Sequence, residues 1–300
     1  MEPARKRRRV IVVGQDAEEE GEVKQEKDPG VIDFEGGRVE KKSKRELAEE
    51  KEVKEAEDVQ RAKAEREKER NGDIFLNTDP TAGQLTVLTG KSERGKTHFL
   101  KWLLLERITA EHSPFRFGLA FVRTKYRHVY NFLPDDKVFQ SYDEEILRKY
   151  ISNLESIFEE KKAVEPNFVI FDDLIGILNN RTPWFENWIG TFRQLNTHIY
   201  IAVQYLTGKN AISPIMREQT NFAIIFNTKN TRSLINLYEN YGQLFEKQKE
   251  FKQYLFDNTD RSKVGPYVCI VYIEREDDLE NNYLPMRAPK ELPDDIKLVY

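Results

Sequence analysis

The sequence predicts an α/β fold in which a mostly parallel sheet is flanked by helices on both faces. From residue 73 onward, short apolar runs alternate with longer amphipathic segments, the pattern of parallel strands joined by crossover helices. Several runs are apolar almost throughout, as expected for strands that helices cover on both faces. The length of 300 residues suits one large domain or two small ones. Since no internal repeat is visible, one domain behind a charged leader is the simplest division.

The predicted elements follow a regular order along the chain. Strands are predicted at residues 85–89, 117–122, 168–171, 199–203, 222–226 and 267–273. Helices are predicted at residues 96–112, 143–161, 184–196 and 230–256. The single cysteine, Cys269, falls in the last predicted strand. One cysteine cannot form an intrachain disulfide, so a reducing cellular interior is expected. Because nothing basic flanks it to stabilise a thiolate, we expect a buried structural thiol.

Residues 1–72 are predicted to form a charged, flexible leader, and residues 73–300 the folded domain. The run from Arg5 to Arg9 is basic throughout. It suits a nuclear-import signal or a nucleic-acid tail, and equally a solvated cluster without a role. Residues 38–70 interleave Lys and Arg with Glu at helical spacing, which favours an exposed helix, with disorder as the alternative.

The composition restricts the classes of partner. The formal net charge of −4 argues against a passive protein that coats DNA, because phosphate neutralisation supplies much of the affinity of such proteins. It leaves open a ring-shaped motor that grips DNA with a few loops around a pore. No apolar run approaches the roughly 20 residues that span a bilayer, and the N-terminus lacks a secretion signal. We therefore expect a soluble intracellular protein without a membrane partner.

The central motif is a strand–loop–helix that fits the phosphate-binding pattern G-x-x-x-x-G-K-[ST]. Its loop consists of Gly90, Lys91, Ser92, Glu93, Arg94, Gly95, Lys96 and Thr97. The glycines let the backbone turn tightly and direct its N–H groups at phosphates, and the helix N-terminus adds a favourable dipole. Lys96 is expected to reach the β- and γ-phosphates of ATP, and Thr97 to place its hydroxyl on Mg²⁺. Residues 73–300 are thus predicted to form a P-loop ATPase domain.

A second motif ends the predicted strand 168–171 with paired carboxylates, Asp172 and Asp173. An apolar strand that ends in this way is the Walker B arrangement. Asp172 is expected to hold Mg²⁺, usually through water, and Asp173 to act as the base or polariser for the attacking water. Most related ATPases carry Glu at the second position, so Asp173 departs from the pattern. The alternative is an acidic strand end that faces solvent.

Three further polar residues are candidates for catalysis. Gln204 follows the strand 199–203, which is predicted to lie beside the Walker B strand, so Gln204 is expected to contact the γ-phosphate or the attacking water. A hydrogen-bonded edge glutamine is the alternative. Arg193 precedes that strand, and Arg217 precedes the next one. A guanidinium supplied across a subunit interface can raise the rate of phosphoryl transfer by about 10³–10⁵. Either arginine could serve, and a surface salt bridge is the alternative for each.

The order of these motifs resembles the FtsK–HerA superfamily of P-loop ATPases. The resemblance consists of the P-loop, the paired-acid strand, Arg193, a strand ending in Gln204, and Pro214-Ile-Met-Arg217 before another strand. Over residues 83–228 it extends in particular to the genome-packaging ATPases of poxviruses, giant viruses, virophages and Polinton-like elements. It implies a RecA-like domain, a homo-oligomeric ring, and ATP-driven packaging of double-stranded DNA. It also implies a capsid or portal partner at a nuclear or cytoplasmic assembly site of an infected cell.

Two other functions fit the same motifs. One is a cellular HerA-like translocase or helicase, although such proteins often carry extra domains. The other is a P-loop switch or kinase that acts on a non-DNA partner. Against it, the sequence has no Asn-Lys-x-Asp base-reading segment and no Arg-rich lid. Lys125, Arg127 and His128 follow a strand end and could face a DNA pore, with an ordinary solvated loop as the alternative.

Overall fold

A computed structural model describes residues 83–111, 114–123, 128–174, 182–207, 212–274 and 282–298. All of them belong to the second of the two units into which the chain divides, Glu55–Tyr300. The predicted leader lies outside the described residues, so its boundary with the domain stays a prediction. Within the described ranges, no helix combines the length and the apolar character that crossing a bilayer would need.

The described part of the chain contains one sheet of eight strands. They are β1 (Leu85–Thr89), β2 (Phe117–Val122), β3 (Val138–Phe139), β4 (Asn167–Asp172), β5 (Thr197–Val203), β6 (Thr220–Phe226), β7 (Val268–Ile273) and β8 (Tyr283–Arg287). Their order across the sheet is β3-β2-β4-β5-β1-β6-β7-β8. The strands from β3 to β6 in this order run parallel, and β7 and β8 are added antiparallel. The predicted mostly parallel sheet is confirmed.

Helices cover both faces of this sheet, as predicted. They are α1 (Lys96–Thr109), α2 (Glu144–Lys161), α3 (Pro183–Thr191), α4 (Pro214–Glu218), α5 (Thr231–Tyr241), α6 (Gln248–Thr259) and α7 (Arg261–Val264). Successive strand residues point to opposite faces, so Val87 and Leu88 of β1 belong to different cores. The core around Leu88 includes side chains of α1, whereas the core around Val87 includes side chains from α2 to α6. The central strands are therefore mostly apolar because both of their faces are buried.

The strand order decides which loops meet. β5 lies between β1 and β4, with Ile201 aligned to both Val87 and Phe171. The carboxyl ends of these parallel strands therefore share one edge of the sheet, where polar groups that follow them can converge. The P-loop follows β1, the paired carboxylates end β4, and Gln204 follows β5. The predicted neighbourhood of the Walker B strand and the Gln204 strand is present.

Some predicted elements need correction. The predicted helix 230–256 is two helices, α5 and α6, because the chain leaves α5 at Gly242, whose N–H donates to Tyr238 O at 2.9 Å. The predicted helix 184–196 ends at Thr191 and continues as a 3₁₀ turn, Phe192–Leu195. The sequence does not predict β3, which is two residues long, or β8, which contains Pro285. The proline is tolerated because β8 is an edge strand. Cys269 is fully buried, as expected.

Candidate nucleotide-binding site

The loop between β1 and α1 is shaped by its two glycines. Gly95 precedes α1 with a φ of 97°, and a Cβ there would lie 2.8 Å from the ring of Tyr267. At Gly90, a Cβ would lie 2.7 Å from the Cβ of Phe226. The left-handed backbone and these close approaches explain why glycine occupies both positions. The loop thus passes close over β6 and the start of β7, and it leads into a helix N-terminus that offers backbone N–H donors.

Lys96 lies against the inner side of this loop. Its side chain is mostly buried, and Nζ donates to Gly90 O at 2.7 Å and to Lys91 O at 3.1 Å. Burying an ammonium is unfavourable unless its donors are satisfied, and these two carbonyls satisfy two of the three donors. The positive charge is therefore held where the loop would surround a phosphate group.

Asp172 and Thr97 meet at the carboxyl end of β4. Thr97 Oγ1 and Tyr130 OH each donate to Asp172 Oδ2 at 2.9 Å. Burial raises the pKa of Asp172 to about 6; the two hydroxyl hydrogen bonds and Lys96 oppose this, and the charge of Asp173 adds to it. A hydroxyl oxygen beside a carboxylate oxygen is the kind of hard donor set that Mg²⁺ prefers. The pair therefore fits the predicted cation.

Asp173 is held in a different way from its neighbour. Its backbone is left-handed, with a φ of 55°, which is uncommon for a residue other than glycine. The backbone N–H donates to Ala202 O at 3.1 Å. Gln204 Nε2 donates to Asp173 Oδ1 at 3.0 Å, and Arg123 Nη1 donates to Oδ2 at 2.9 Å. Bonds from β5, from the residue after β5 and from the end of β2 therefore fix both the strained turn and the carboxylate.

These groups line one cleft of about 180 Å³ at the carboxyl edge of the sheet. Its lining residues are Ser92, Glu93, Gly95, Lys96, Thr97, His98, Asp172, Asp173 and Gln204. The cleft brings together an ammonium, a helix N-terminus, a hydroxyl–carboxylate oxygen pair and a second carboxylate, groups that could contact phosphates, a divalent cation and a water molecule. Lys91 and Arg94, which belong to the same loop, line a different cleft.

Arg193 lies at the opposite edge of the sheet. It is part of the 3₁₀ turn before β5, where Nη1 donates to Gln219 Oε1 and Nη2 donates to Gln219 O at 3.0 Å and to Asn221 Oδ1 at 3.1 Å. A strand of the length of β5, seven residues, spans roughly 20 Å. The structure therefore does not bring Arg193 to the P-loop of its own chain.

Arg217 is part of α4 and supports the chain segment that follows Gln204. Its Nη1 donates to Leu206 O at 3.1 Å and to Ile212 O at 2.9 Å. It does not line the cleft with Lys96 and Asp172. A catalytic role for Arg217 or Arg193 would thus require a neighbouring copy of the chain.

The sequence does not predict two residues of this site, Arg123 and Tyr130. Arg123 directly follows β2, whose last residue, Val122, is aligned with Asp172. The strand-end argument that selects Asp173 could have selected Arg123 too. Tyr130 comes from an irregular segment, and no pattern marks it. Of the basic residues predicted as pore candidates, His128 is exposed, whereas 125 and 127 lie outside the described residues.

Comparison with curated protein sequences gives a viral relative. The chain is 25% identical over 207 residues to the uncharacterized protein 075L of Invertebrate iridescent virus 6, which covers 66% of this chain and 73% of that protein. No protein-family model matches the chain.

Solved structures also match part of the chain. One is the genome packaging NTPase B204 of Sulfolobus turreted icosahedral virus 2 in complex with ATP-gammaS, with 15% identity and a TM-score of 0.46 over 67% of this chain and 96% of that one. Another is the pCW3 conjugation coupling protein TcpA with ATPgS, with 9% identity and a TM-score of 0.46 over 70% of this chain and 61% of that one. Viral genome-packaging NTPases, which the motif order resembles, are thus among the matching structures.

Proposed function

We propose that this chain is an ATP-driven DNA translocase that packages viral double-stranded DNA into a capsid. The supporting observation is the convergence of three groups at one edge of the sheet. They are a phosphate-binding loop, the oxygen pair of Thr97 and Asp172, and a second carboxylate, Asp173, that is bonded to Gln204 and Arg123. The packaging role is supported by the motif order and by the similarity to viral proteins.

The residues divide the hydrolysis of ATP among themselves. The phosphates would lie against the N–H groups of the P-loop, with Lys96 at the β- and γ-phosphates. Mg²⁺, held by Thr97 and Asp172, would neutralise charge on the phosphate oxygens. Gln204 would orient the attacking water, and Asp173 would accept its proton. As the water oxygen bonds to the γ-phosphorus, the bond from that phosphorus to the β–γ bridging oxygen would break, and ADP would leave with the electron pair. Arg123 and Gln204 each donate to one oxygen of Asp173 and thereby stabilise the carboxylate, so weakening either contact would favour transfer of the proton.

We propose a homo-oligomeric ring as the working form. Arg217 is the first candidate for a guanidinium that acts on the ATP of the next copy, because among the described residues only its Nη1 is engaged, by Leu206 O and Ile212 O. Arg193 is the second candidate, with both terminal nitrogens engaged within its own chain. A capsid or portal protein at an assembly site in the infected cell, nuclear or cytoplasmic, would be the further partner.

The test of this function is steady-state ATP hydrolysis with and without long double-stranded DNA. Lys96→Ala is the blank, and Lys249→Ala, at an exposed lysine on α6, is the matched control. We expect strong stimulation by duplex DNA in the wild type and in Lys249→Ala, and no hydrolysis in Lys96→Ala. Hydrolysis that depends on Lys96 but is indifferent to DNA would contradict the translocase. It would favour the switch or kinase that the sequence leaves open.

A mixing experiment tests the ring and the role of Arg217. Arg217→Ala is expected to bind ATP normally but to hydrolyse it slowly. Mixed with Lys96→Ala subunits, it should recover activity, because each interface between unlike copies can join an intact P-loop to an intact arginine. No recovery in rings shown to be mixed would assign Arg217 to the support of its own loop, and the same mixture with Arg193→Ala would then test the second candidate.

A further inference from the structure

A second cleft lies next to the first and shares one residue with it. Its volume is about 240 Å³, and its lining residues are Lys91, Arg94, Gln204, Tyr205, Thr228, Lys229, Asn230 and Ser233. Gln204 also lines the cleft with Lys96 and Asp172. Both clefts therefore border Gln204, and the P-loop contributes to both.

The second cleft is positively charged, although the chain has a net charge of −4. Three of its lining residues are basic (Lys91, Arg94 and Lys229), and none is acidic. Within the described ranges, the side chains of Lys91 and Arg94 form no ion pair. A concave surface of one sign concentrates ions of the opposite sign, so this cleft selects an anionic ligand.

The neutral groups in the cleft are typical of phosphate contacts. The 11-residue helix α5 begins here, and its cap Asn230 accepts from Ser233 N at 2.9 Å. Thr228 contributes a hydroxyl group, and Tyr205, with 52% of its surface exposed, contributes an aromatic ring with a hydroxyl group. Contacts to a nucleic-acid backbone come from this combination of Lys or Arg with Ser, Thr, Asn, Tyr and helix N-termini.

We propose that this second cleft, formed by Lys91, Arg94, Tyr205, Lys229 and the N-terminus of α5, binds a phosphate of the DNA backbone. The choice of ligand rests on the proposed translocase function. DNA fits the cleft better than a free ion, since the exposed ring and hydroxyl group of Tyr205 can lie against a backbone sugar or phosphate, and a free ion has no sugar.

The position of Gln204 connects DNA binding to hydrolysis. Its Nε2 donates to Asp173 Oδ1 at 3.0 Å, and its side chain borders the DNA cleft. A backbone phosphate that attracts the Gln204 amide would weaken its bond to the carboxylate that activates water. Gln204 would thus transmit the presence of DNA in the second cleft to Asp173, and hydrolysis would be stimulated only while DNA is bound.

The experiment measures binding of a 30-base-pair duplex to the full chain by fluorescence anisotropy over a series of salt concentrations. Lys229→Glu and Tyr205→Ala are the test variants, and Lys249→Glu is the control for charge. Loss of one phosphate contact should lower the slope of log K against log salt by about 1. We expect Lys229→Glu to weaken binding about tenfold or more, and both test variants to lose most of the stimulation of ATPase by DNA. Unchanged thermal midpoints would show that the variants fold.

Each outcome has one meaning for the cleft. If the wild type binds duplex DNA and both variants bind and respond as Lys249→Glu does, the DNA cleft is wrong while the translocase stands. If inorganic phosphate inhibits the wild type but not Lys229→Glu, and DNA binding is equal in both, the cleft takes free phosphate and the proposal is overturned. If the wild type neither binds nor responds to duplex DNA, the translocase and the DNA cleft fail together.

Discussion

The parallel strands of the sheet begin at one edge, the amino edge, and end at the opposite one, the carboxyl edge. The two edges carry similar polar side chains, but the bonding of these side chains differs. At the amino edge, Arg193 is bonded to Gln219 and Asn221, and Asn221 Oδ1 also accepts from the N–H of Leu85 at 3.0 Å. At the carboxyl edge, Asp173 is bonded to Arg123, whose side chain is 50% exposed, and to Gln204, which borders two clefts. Groups at the amino edge satisfy one another and the strand ends. Groups at the carboxyl edge have partners that water or a ligand can replace.

The two ends of β4 repeat this contrast within one strand. Asn167, the first residue, is buried, and its amide donates to Leu195 O at 2.8 Å and to neighbouring carbonyls. Asp172, the last residue, is equally buried but carries an ionisable group whose pKa burial raises. A neutral amide such as that of Asn167 is sufficient where the only requirement is to donate hydrogen bonds to buried carbonyls. A carboxylate that is buried to the same degree lowers the stability of the fold. Its presence is explained if it binds a ligand, since functional sites often trade stability for activity.

Lys96→Ala tests the carboxyl edge with the largest expected effect. Since Lys96 is the cation expected at the β- and γ-phosphates, we expect hydrolysis to fall by about 10³-fold or more. The thermal midpoint should change little, because the loss of the Nζ bonds to Gly90 O and Lys91 O is offset by removal of a buried charge. Steady-state hydrolysis and thermal unfolding of one preparation measure both quantities. Turnover near that of the wild type would remove Lys96 from the site.

Asp172→Asn tests the stability difference between the ends of β4. The pKa of Asp172 is raised to about 6, so the folded chain holds this proton more tightly than the unfolded chain does. This contribution to stability is present at pH 3 and is lost as the pH rises through 6. Above that pH, the variant should be more stable than the wild type by up to about 3 kcal/mol, or roughly a hundredfold in the unfolding constant.

Chemical unfolding in metal-free buffer at pH 4 and pH 7.5 measures this difference. Asn can still accept from Thr97 and Tyr130, which keeps the hydrogen bonds comparable. The advantage of the variant should be small at pH 4 and large at pH 7.5. An equal difference at both values would show that the charge of Asp172 is not what burial opposes.

The sequence predicts those residues of the site whose chemical type is required by their position, namely the glycines of the loop and the polar residues that end the strands. Glycine at positions 90 and 95 is required by a tight turn, and carboxylates or an amide after apolar parallel strands converge because the strand ends share an edge. Arg123 also follows such a strand, but an arginine at a strand end is equally common as a solvent-exposed residue, so its position alone does not assign it to the site. Its pairing with Asp173 depends on the left-handed turn at Asp173, which no local pattern announces.

The fold shows the same division between local and tertiary causes. The central strands are predicted to within one or two residues because burial on both faces favours apolar side chains along most of their length. β8 is not predicted because a proline such as Pro285 argues against a strand. The proline is tolerated because β8 is the outermost strand of the sheet. Arg193 is a catalytic candidate in the sequence because of its place in the order of motifs, and that order carries no information about distances in the fold. The sheet places it an entire strand length from the P-loop.

Arg193→Ala tests the amino edge, where we expect stability rather than activity to change. Its bonds to Gln219 and Asn221 involve a charged donor, and their loss should lower the free energy of unfolding by about 2 kcal/mol. The rate per folded, assembled subunit should stay near that of the wild type. Arg232→Ala, at an exposed arginine of α5, is the control. A large loss of rate with unchanged stability would instead make Arg193 the arginine that acts on a neighbouring copy.

Arg123→Ala should give the smallest effect and the most informative one, because it releases Asp173 without removing it. The ion pair joins a half-exposed guanidinium to a buried carboxylate at 2.9 Å. A pair with an exposed partner contributes up to about 1 kcal/mol, which limits the gain in the DNA-free rate to roughly fivefold. We expect kcat without DNA to rise by up to that factor and KM for ATP to stay constant, while Arg123→Lys, which keeps the charge, resembles the wild type. A fall in kcat with and without DNA would mean that Arg123 acts on the reacting groups themselves, and the exchangeable character of the carboxyl edge would then rest on Gln204 alone.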